Sequence, residues 1–238
     1  MIIPLTIGLN SNNEPQQINL AEVPLLMVSY SQSSELQPYF AQLLGVEKAT
    51  REAGSQFLIA NSRHLPSEAS EQVCFLTDDP EKGTHISRQA LLNAVLKEMR
   101  LRKKIMHQKQ ITSFEKYHAL NLWNPTKLHH SFLLIDDIWN LVSAKPQSLS
   151  ISLIRIILNG PSVGIHTILG SNISYRNLLQ QLIELNPAIE KLLQEKYGIP
   201  APTQISSIAQ ELIISPDKLI FYKKSSVLDM QKYYPLFF

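Results

Sequence analysis

Short apolar runs alternate with longer stretches of helical periodicity along this chain. The runs that predict strands lie at residues 4–9, 24–29, 56–61, 72–76, 131–136, 165–171, 211–215 and 218–223. Several are apolar throughout instead of alternating with polar residues, which is typical of strands covered on both faces. The alternation of strands with helices favours an α/β fold with a mainly parallel central sheet flanked by helices.

Helical periodicity fills much of the sequence between these runs. Helices are predicted over 35–45, 87–109, 149–159 and 174–196, and loops over 146–150 and 196–207. In the longest helix Leu92, Met99 and Met106 fall near one face, which predicts that this face packs on the sheet. No convincing boundary divides the sequence, so a single domain over residues 1–238 is expected.

Composition narrows the class of protein only slightly. Of the 238 residues, 44% are hydrophobic and 18% charged, as in ordinary globular proteins, and the net charge of +2 neither supports nor excludes DNA binding. The single cysteine, Cys74, rules out an internal disulfide and a cysteine-based zinc site. No apolar stretch approaches the roughly 20 residues of a membrane span. The chain is therefore expected to be cytoplasmic, alone or as part of a membrane-associated complex.

Four blocks of sequence stand out together. They are, in chain order, "PLTIGLNSNNEPQQINLAEVPLLMVS", "LLNAVLKEMRLRKKIMHQKQITSFEKYHALN", "HHSFLLIDDIWNLVS" and "SVGIHTILGSN". In this order they resemble the FtsK/SpoIIIE family of motor domains. The blocks cover roughly residues 3–175, and the match is weak beyond them apart from "ELIISPDKLIFYKK", which resembles the family's terminal hairpin. The resemblance implies a RecA-like P-loop NTPase fold, ring-forming ATPase relatives, and DNA or protein as the substrate that they move.

The family's phosphate loop would follow the predicted strand at 24–29. Such a loop needs G-x-x-x-x-G-K-[ST], because glycines turn backbone N–H groups toward the phosphates, the lysine neutralises charge and the hydroxyl holds Mg²⁺. The corresponding stretch of this chain comprises Tyr30, Ser33, Ser34, Glu35, Leu36 and Gln37. Ser33 and Ser34 can cap the helix that follows them.

Every chemically required position of this loop is replaced. Tyr30 stands at the first glycine and Glu35 at the glycine before the lysine. Leu36 replaces the lysine and Gln37 the hydroxyl residue. Glu35 also puts a negative charge where a phosphate would bind. No Gly-Lys pair occurs elsewhere in the chain, so we expect neither ATP hydrolysis nor a bound cofactor, and no metal.

Two further elements of the family's site are partly retained. Asp136 and Asp137 follow the strand at 131–136, where the resemblance implies an acid that organises Mg²⁺ and a Glu that activates water. The alternative is that the two acids cap the following helix. Ser171 and Asn172 stand where the family has Thr-Gln to sense the γ-phosphate, although a strand-end turn explains them equally well.

A basic run lies within the predicted helix at 87–109. Arg100, Arg102, Lys103 and Lys104 form a candidate contact face, for a neighbouring subunit or for phosphates of DNA. A solvated helix face is the simpler interpretation, because the other face of the same helix is apolar. None of the histidines has the spacing of a metal site.

These observations leave three hypotheses for function. The first is a degenerate FtsK/SpoIIIE-like domain that serves as a structural or regulatory subunit in a translocation, conjugation or secretion assembly, with other subunits as partners. The second is an active DNA translocase whose site is unorthodox or completed by a neighbour, with ATP and magnesium as cofactors. The third is an interaction module unrelated to translocation. Nucleotide binding separates the second from the others.

Overall fold

The computed structural model describes residues 3–31, 56–60, 88–120, 128–135, 137–139, 146–173, 209–214, 219–223 and 226–230, with single helical positions between 181 and 194. The strands are β1 (Pro4–Leu9), β2 (Pro15–Asn19), β3 (Leu25–Tyr30), β4 (Gln56–Ala60), β5 (Ser131–Ile135), β6 (Ile165–Ser171), β7 (Ala209–Ile214), β8 (Leu219–Lys223) and β9 (Ser226–Met230). The helices are α1 (Arg88–Gln108), α2 (Phe114–Leu120) and α3 (Pro146–Asn159).

Seven of these strands form one sheet, in the order β4-β5-β6-β3-β7-β8-β9. The first five run parallel to one another, and β8 and β9 add antiparallel strands at one edge. Strand β3 lies in the middle, and all six of its residues are buried. An apolar run without alternation gives such a strand because both of its faces are covered.

The face of the sheet beside α1 and α3 holds the larger hydrophobic core. Leu25 and Met27 of β3 meet Leu133 of β5 and Leu169 of β6 there, together with the apolar stripes of both helices. Leu92, Met99 and Met106 of α1 are buried in this core, as the periodicity predicts. Burial of such side chains contributes about 1.5–3 kcal/mol each, so this layer contributes strongly to stability.

Strands β1 and β2 form a separate antiparallel hairpin that packs on the other face. Leu5 and Ile7 lie in a second core with Leu26 and Val28 of β3. The turn between the two strands is built by Asn10, whose side-chain oxygen accepts hydrogen bonds from the N–H groups of Asn12 and Glu14.

The predicted elements agree with the structure except at a few places. Residues 146–150, predicted as a loop, form the first turn of α3, because proline is well tolerated at the start of a helix, where its missing N–H has no partner to lose. Strands β2 and β9 and the short helix α2 were not predicted. The predicted helix at 35–45, the strand at 72–76 with Cys74, most of the helix at 174–196 and the loop at 196–207 lie outside the described residues.

Candidate functional site

The candidate site lies where the parallel strands end, at what we call the carboxyl edge of the sheet. Strand β3 has β6 on one side and β7 on the other, and β6 separates it from β5. The connection after β3 leads to β4, on one side of it, and the connection after β6 leads to β7, on the other. Such a reversal leaves a crevice that commonly binds ligands in open α/β sheets.

The register of the strands brings the predicted site elements to this edge. Ser29 of β3 pairs with Ser171 of β6, and Ile135 of β5 pairs with Leu169. Tyr30, Asp137, Ser171 and Asn172 therefore all lie near the same edge. Asp136 and the predicted loop residues Ser33, Ser34, Glu35, Leu36 and Gln37 are outside the described residues, and their roles stay predictions.

Tyr30 ends β3 as a core residue. Its side chain is 8% exposed and packs in the second core, on the hairpin side of the sheet. The next residue, Ser31, donates its backbone N–H to the carbonyl oxygen of Ile214 at 3.2 Å. The first backbone donor after β3 is thus engaged by β7, where a phosphate loop would begin to turn its N–H groups toward a ligand.

A hydrogen bond between Ser29 and Glu211 joins β3 to β7 beside this point. The Ser29 hydroxyl, 5% exposed, donates to Glu211 Oε1 at 2.7 Å, and the carbonyl oxygen of Ile173 lies 3.5 Å from the same hydroxyl. Sequence reasoning missed both residues. The signal was present, since each is a polar residue inside a largely apolar strand, but their pairing across 182 positions was not readable.

The remaining candidates at this edge form a turn and a strand end. The Ser171 side-chain oxygen is buried and accepts the N–H of Ile173 at 3.2 Å, a turn of the kind that serine commonly makes. Asn172 is exposed. Asp137 is half-buried, directly ahead of the buried Ile138. The hydrogen bond of Ser171 agrees with the strand-end turn that the sequence allowed at Ser171 and Asn172. Asp137 lies directly after β5 and Asp136, at the position where the resemblance implies an acid.

Arg102 does not belong to the predicted basic contact face, because its side chain is buried. It is 2% exposed and reaches the start of β5 and the turn before β6. Its Nη1 donates to the carbonyl oxygens of His129 at 2.7 Å and Val163 at 3.2 Å, and its Nη2 donates to Ser131 Oγ at 2.7 Å. Arg102 therefore fastens α1 to the amino edge of the sheet, where β5 and β6 begin.

Glu98 compensates the buried charge of Arg102. The two side chains meet at 2.8 Å, one helical turn apart on α1. Burial lowers the pKa of Arg102, whereas the hydrogen bond and charge of Glu98 raise it. A guanidinium remains protonated in proteins, so this pair is an ion pair within the fold.

Lys97 of α1 is exposed, and so are the predicted contact residues Arg100, Lys103 and Lys104. They lie on the same helical turns as Arg102 and therefore beside the amino edge, at the opposite end of the strands from the candidate site. Residues 88–120 hold eight of the 22 Lys and Arg residues and only two of the 20 Asp and Glu residues. Among the described residues, positive charge is thus concentrated in the segment that holds α1 and α2.

Two negative findings concern the described part of the chain. No helix there is both long and apolar enough to span a membrane. No group of three or more His, Cys, Asp or Glu side chains in the same part is placed to hold a metal ion.

No family model matches the chain, and no curated protein matches it significantly. Solved structures do match it. The cytoplasmic domain of the Thermomonospora curvata Type VII secretion ATPase EccC has a TM-score of 0.66 and 18% identity, over 98% of this chain and 28% of that one. The pCW3 conjugation coupling protein TcpA has a TM-score of 0.65 and 11% identity, over 98% of this chain and 66% of TcpA. EssC (ATPases 2 and 3) from Geobacillus thermodenitrificans has a TM-score of 0.64 and 14% identity, over 99% of this chain and 45% of that one.

These similarities confirm the fold class that the sequence predicts. The chain has a RecA-like P-loop NTPase fold, with a mainly parallel central sheet flanked by helices. More narrowly, the fold is that of FtsK/SpoIIIE-type ATPase domains, to which these neighbours belong. At this level of identity the likeness concerns the fold, and the chain spans only 28% to 66% of the three neighbours' lengths.

Proposed function

We propose that this chain is a degenerate FtsK/SpoIIIE-like ATPase domain that does not hydrolyse ATP. It acts as a structural or regulatory component of a DNA-translocation, conjugation or secretion assembly. The observation that carries the proposal is the sequence directly after β3, where a phosphate loop belongs in this fold. Tyr30 is a core residue there, and Glu35, Leu36 and Gln37 replace the glycine, lysine and hydroxyl residue.

Hydrogen bonds and charges among the described residues of the carboxyl edge support this proposal. The Ser29 hydroxyl donates to Glu211, and the Ser31 N–H donates to Ile214. Glu211 and Asp137 contribute carboxylates to the described part of this edge. A triphosphate needs backbone and cationic donors, so we propose that ATP and magnesium are not cofactors of this domain.

The expected partners are other subunits of a translocation or secretion machine. Support comes from the neighbours, which are described as a Type VII secretion ATPase and a conjugation coupling protein. The exposed Arg100, Lys103 and Lys104 offer a contact face at the amino edge for a neighbouring subunit, and DNA is the other candidate for that face. The cytoplasm remains the proposed location.

Calorimetric titration with ATP and Mg²⁺, together with a phosphate-release assay, tests the proposal. TcpA, which was solved with ATPγS, serves as the positive control. We expect no binding at micromolar nucleotide and no phosphate release by this chain under conditions in which TcpA binds. Micromolar binding accompanied by turnover would refute the proposal.

The alternative is an active ATP-dependent DNA translocase whose site is unorthodox or completed by a neighbouring subunit. Asp137, held directly after β5, favours it, because this is the place of the acids that organise Mg²⁺ and water in such ATPases. It predicts DNA-stimulated phosphate release from the reconstituted oligomer. That activity should disappear in Asp136→Asn and Asp137→Asn and persist in Glu14→Gln, a change in the exposed hairpin turn.

A further inference from the structure

Two buried histidines meet at the amino edge of the sheet, opposite the candidate site. His130 directly precedes β5 and His166 is the second residue of β6, and they are 9% and 5% exposed. His130 Nδ1 lies 2.8 Å from His166 Nε2. His166 Nδ1 lies 3.0 Å from the carbonyl oxygen of Val23, in the segment that leads into β3.

The hydrogen-bond partners of the two imidazole rings determine which nitrogen of each ring carries a hydrogen. A carbonyl oxygen only accepts, so His166 Nδ1 carries the hydrogen that is donated to Val23. In a neutral imidazole the other nitrogen is then an acceptor, so His130 must donate from its Nδ1 to His166 Nε2. The result is a directed chain of two hydrogen bonds, from His130 through His166 to Val23, in which both imidazoles are neutral.

The surroundings of the pair disfavour a positive charge. Arg102 of α1 is a buried cation nearby, and its partner Glu98 is already engaged with it. Helix α2 contributes His118 and the exposed Glu115, and the ring of Phe114 meets His130 edge-on at 4.9 Å between centroids. Phe132 of β5 stacks on His166 at 5.1 Å.

These surroundings lower the pKa of both imidazoles. Burial, with smaller contributions from the charges of His166, His118 and Arg102, lowers the pKa of His130 to about 3. Burial also lowers the pKa of His166, against the opposing effects of the Val23 carbonyl and Glu115.

We propose that His130 and His166 form an acid-sensitive latch, which holds the segment entering β3 against the amino ends of β5 and β6 while both rings are neutral. A proton added at His166 Nε2 either sets two N–H groups against each other or forces His130 into its other tautomer, whereas one added at His130 Nε2 keeps both hydrogen bonds and charges His130. Each outcome leaves a cation in a buried site beside Arg102. Opening releases Val23 and the neighbouring hydrogen bond from the Thr167 N–H to the Pro24 carbonyl, at 3.1 Å.

Nuclear magnetic resonance of the wild-type chain tests the latch without any substitution. Long-range ¹H–¹⁵N spectra near pH 7.5 should show the Nδ1–H tautomer for both histidines. Hydrogen exchange, corrected for the intrinsic rate, should then accelerate at the Thr167 amide between about pH 7.5 and 5.5 more than at the Ser31 amide of the carboxyl edge. An imidazolium or an Nε2–H tautomer near pH 7.5, or equal acceleration at the two amides, would overturn the proposal.

A matched pair of variants measures how much His166 contributes to the pH dependence of the unfolding equilibrium constant. His166→Gln keeps one donor and one acceptor at this position but cannot titrate, whereas His107→Gln removes an exposed histidine of α1. Each buried histidine with an unfolded-state pKa near 6.5 should raise the unfolding equilibrium constant by up to about tenfold between pH 7.5 and 5.5. His166→Gln should lose part of that rise, up to about tenfold, and His107→Gln none of it. A rise in His166→Gln equal to that of the wild type would overturn the latch.

Discussion

Replacing Arg102 should destabilise the fold far more than replacing any exposed cation of α1. In Arg102→Met the apolar stem is kept and the guanidinium is lost. Its hydrogen bonds to the His129 carbonyl, the Ser131 hydroxyl and Glu98 are 2.7, 2.7 and 2.8 Å long. Their loss leaves oxygen atoms at the start of β5 without this donor, which is costly because the guanidinium lies in a buried part of the fold.

The magnitude follows from opposing effects. Hydrogen bonds to a charged donor contribute about 1.5–3 kcal/mol each, but they are not additive and removing the cation relieves its own desolvation. Removing one partner of a buried ionic network typically costs about 3–5 kcal/mol, and we expect a loss in that range. Arg102→Lys should lose about half as much, because an ammonium cannot span the fork between the carbonyl and the hydroxyl.

Urea unfolding followed by far-ultraviolet circular dichroism measures these losses. Arg100→Met is the matched control, since Arg100 is exposed two residues away, and it should change the free energy of unfolding by less than about 0.5 kcal/mol. If Arg102→Met does not fold, the Arg102→Lys variant still supplies the comparison. Equal stability of the Arg102→Lys, Arg102→Met and Arg100→Met proteins would refute the reasoning.

Three further predictions concern other parts of the fold. Gly164→Ala should cost about 3 kcal/mol or more in thermal unfolding, because φ is 74° and a Cβ would lie 2.3 Å from the Phe114 ring; an unchanged melting temperature would contradict this. A double-mutant cycle of Ser29→Ala and Glu211→Ala should give a coupling of about 1 kcal/mol, and simple additivity would show that the hydrogen bond contributes nothing. The free energy of unfolding should fall by up to about 1.4 kcal/mol per pH unit as the pH drops below 6.5, and the contribution of His130 to this fall should end near pH 3. The cause is that the unfolded chain binds the proton at a higher pH than the folded chain does. Urea titrations of the wild type and His130→Phe test this, and identical slopes of the free energy of unfolding against pH would exclude it.

Much of the sheet was predictable because its strands are buried on both faces. The apolar runs at 131–136 and 165–171 give β5 and β6 to within one residue. Strand β2, "PQQIN", escaped prediction because it lies in a partly exposed hairpin and its sequence is polar. Residues 146–150 were misread because proline and serine are common both in loops and at the start of helices.

The burial of Arg102 was readable from helical spacing. Val95, Met99 and Met106 are buried, and Arg102 lies seven residues after Val95 and four before Met106, on the same stripe. Because Arg102 is charged and lies among other cations in the sequence, it was assigned to the exposed basic face instead. The hydrogen bonds of Ser29 to Glu211 and of His130 to His166 could not be read in this way, because they join distant segments whose side-chain positions only the folded sheet determines.

The polar network around Arg102, His130 and His166 lies at the amino edge, and the candidate site lies at the other end of the same strands. In this architecture the groups that secure the fold and the groups that would perform chemistry are physically decoupled. Substitutions in a phosphate loop would leave the amino-edge network intact, so they need not compromise folding. Catalytic residues could therefore be lost during evolution while the fold is retained, and selection for a role in an assembly would be enough to preserve the fold.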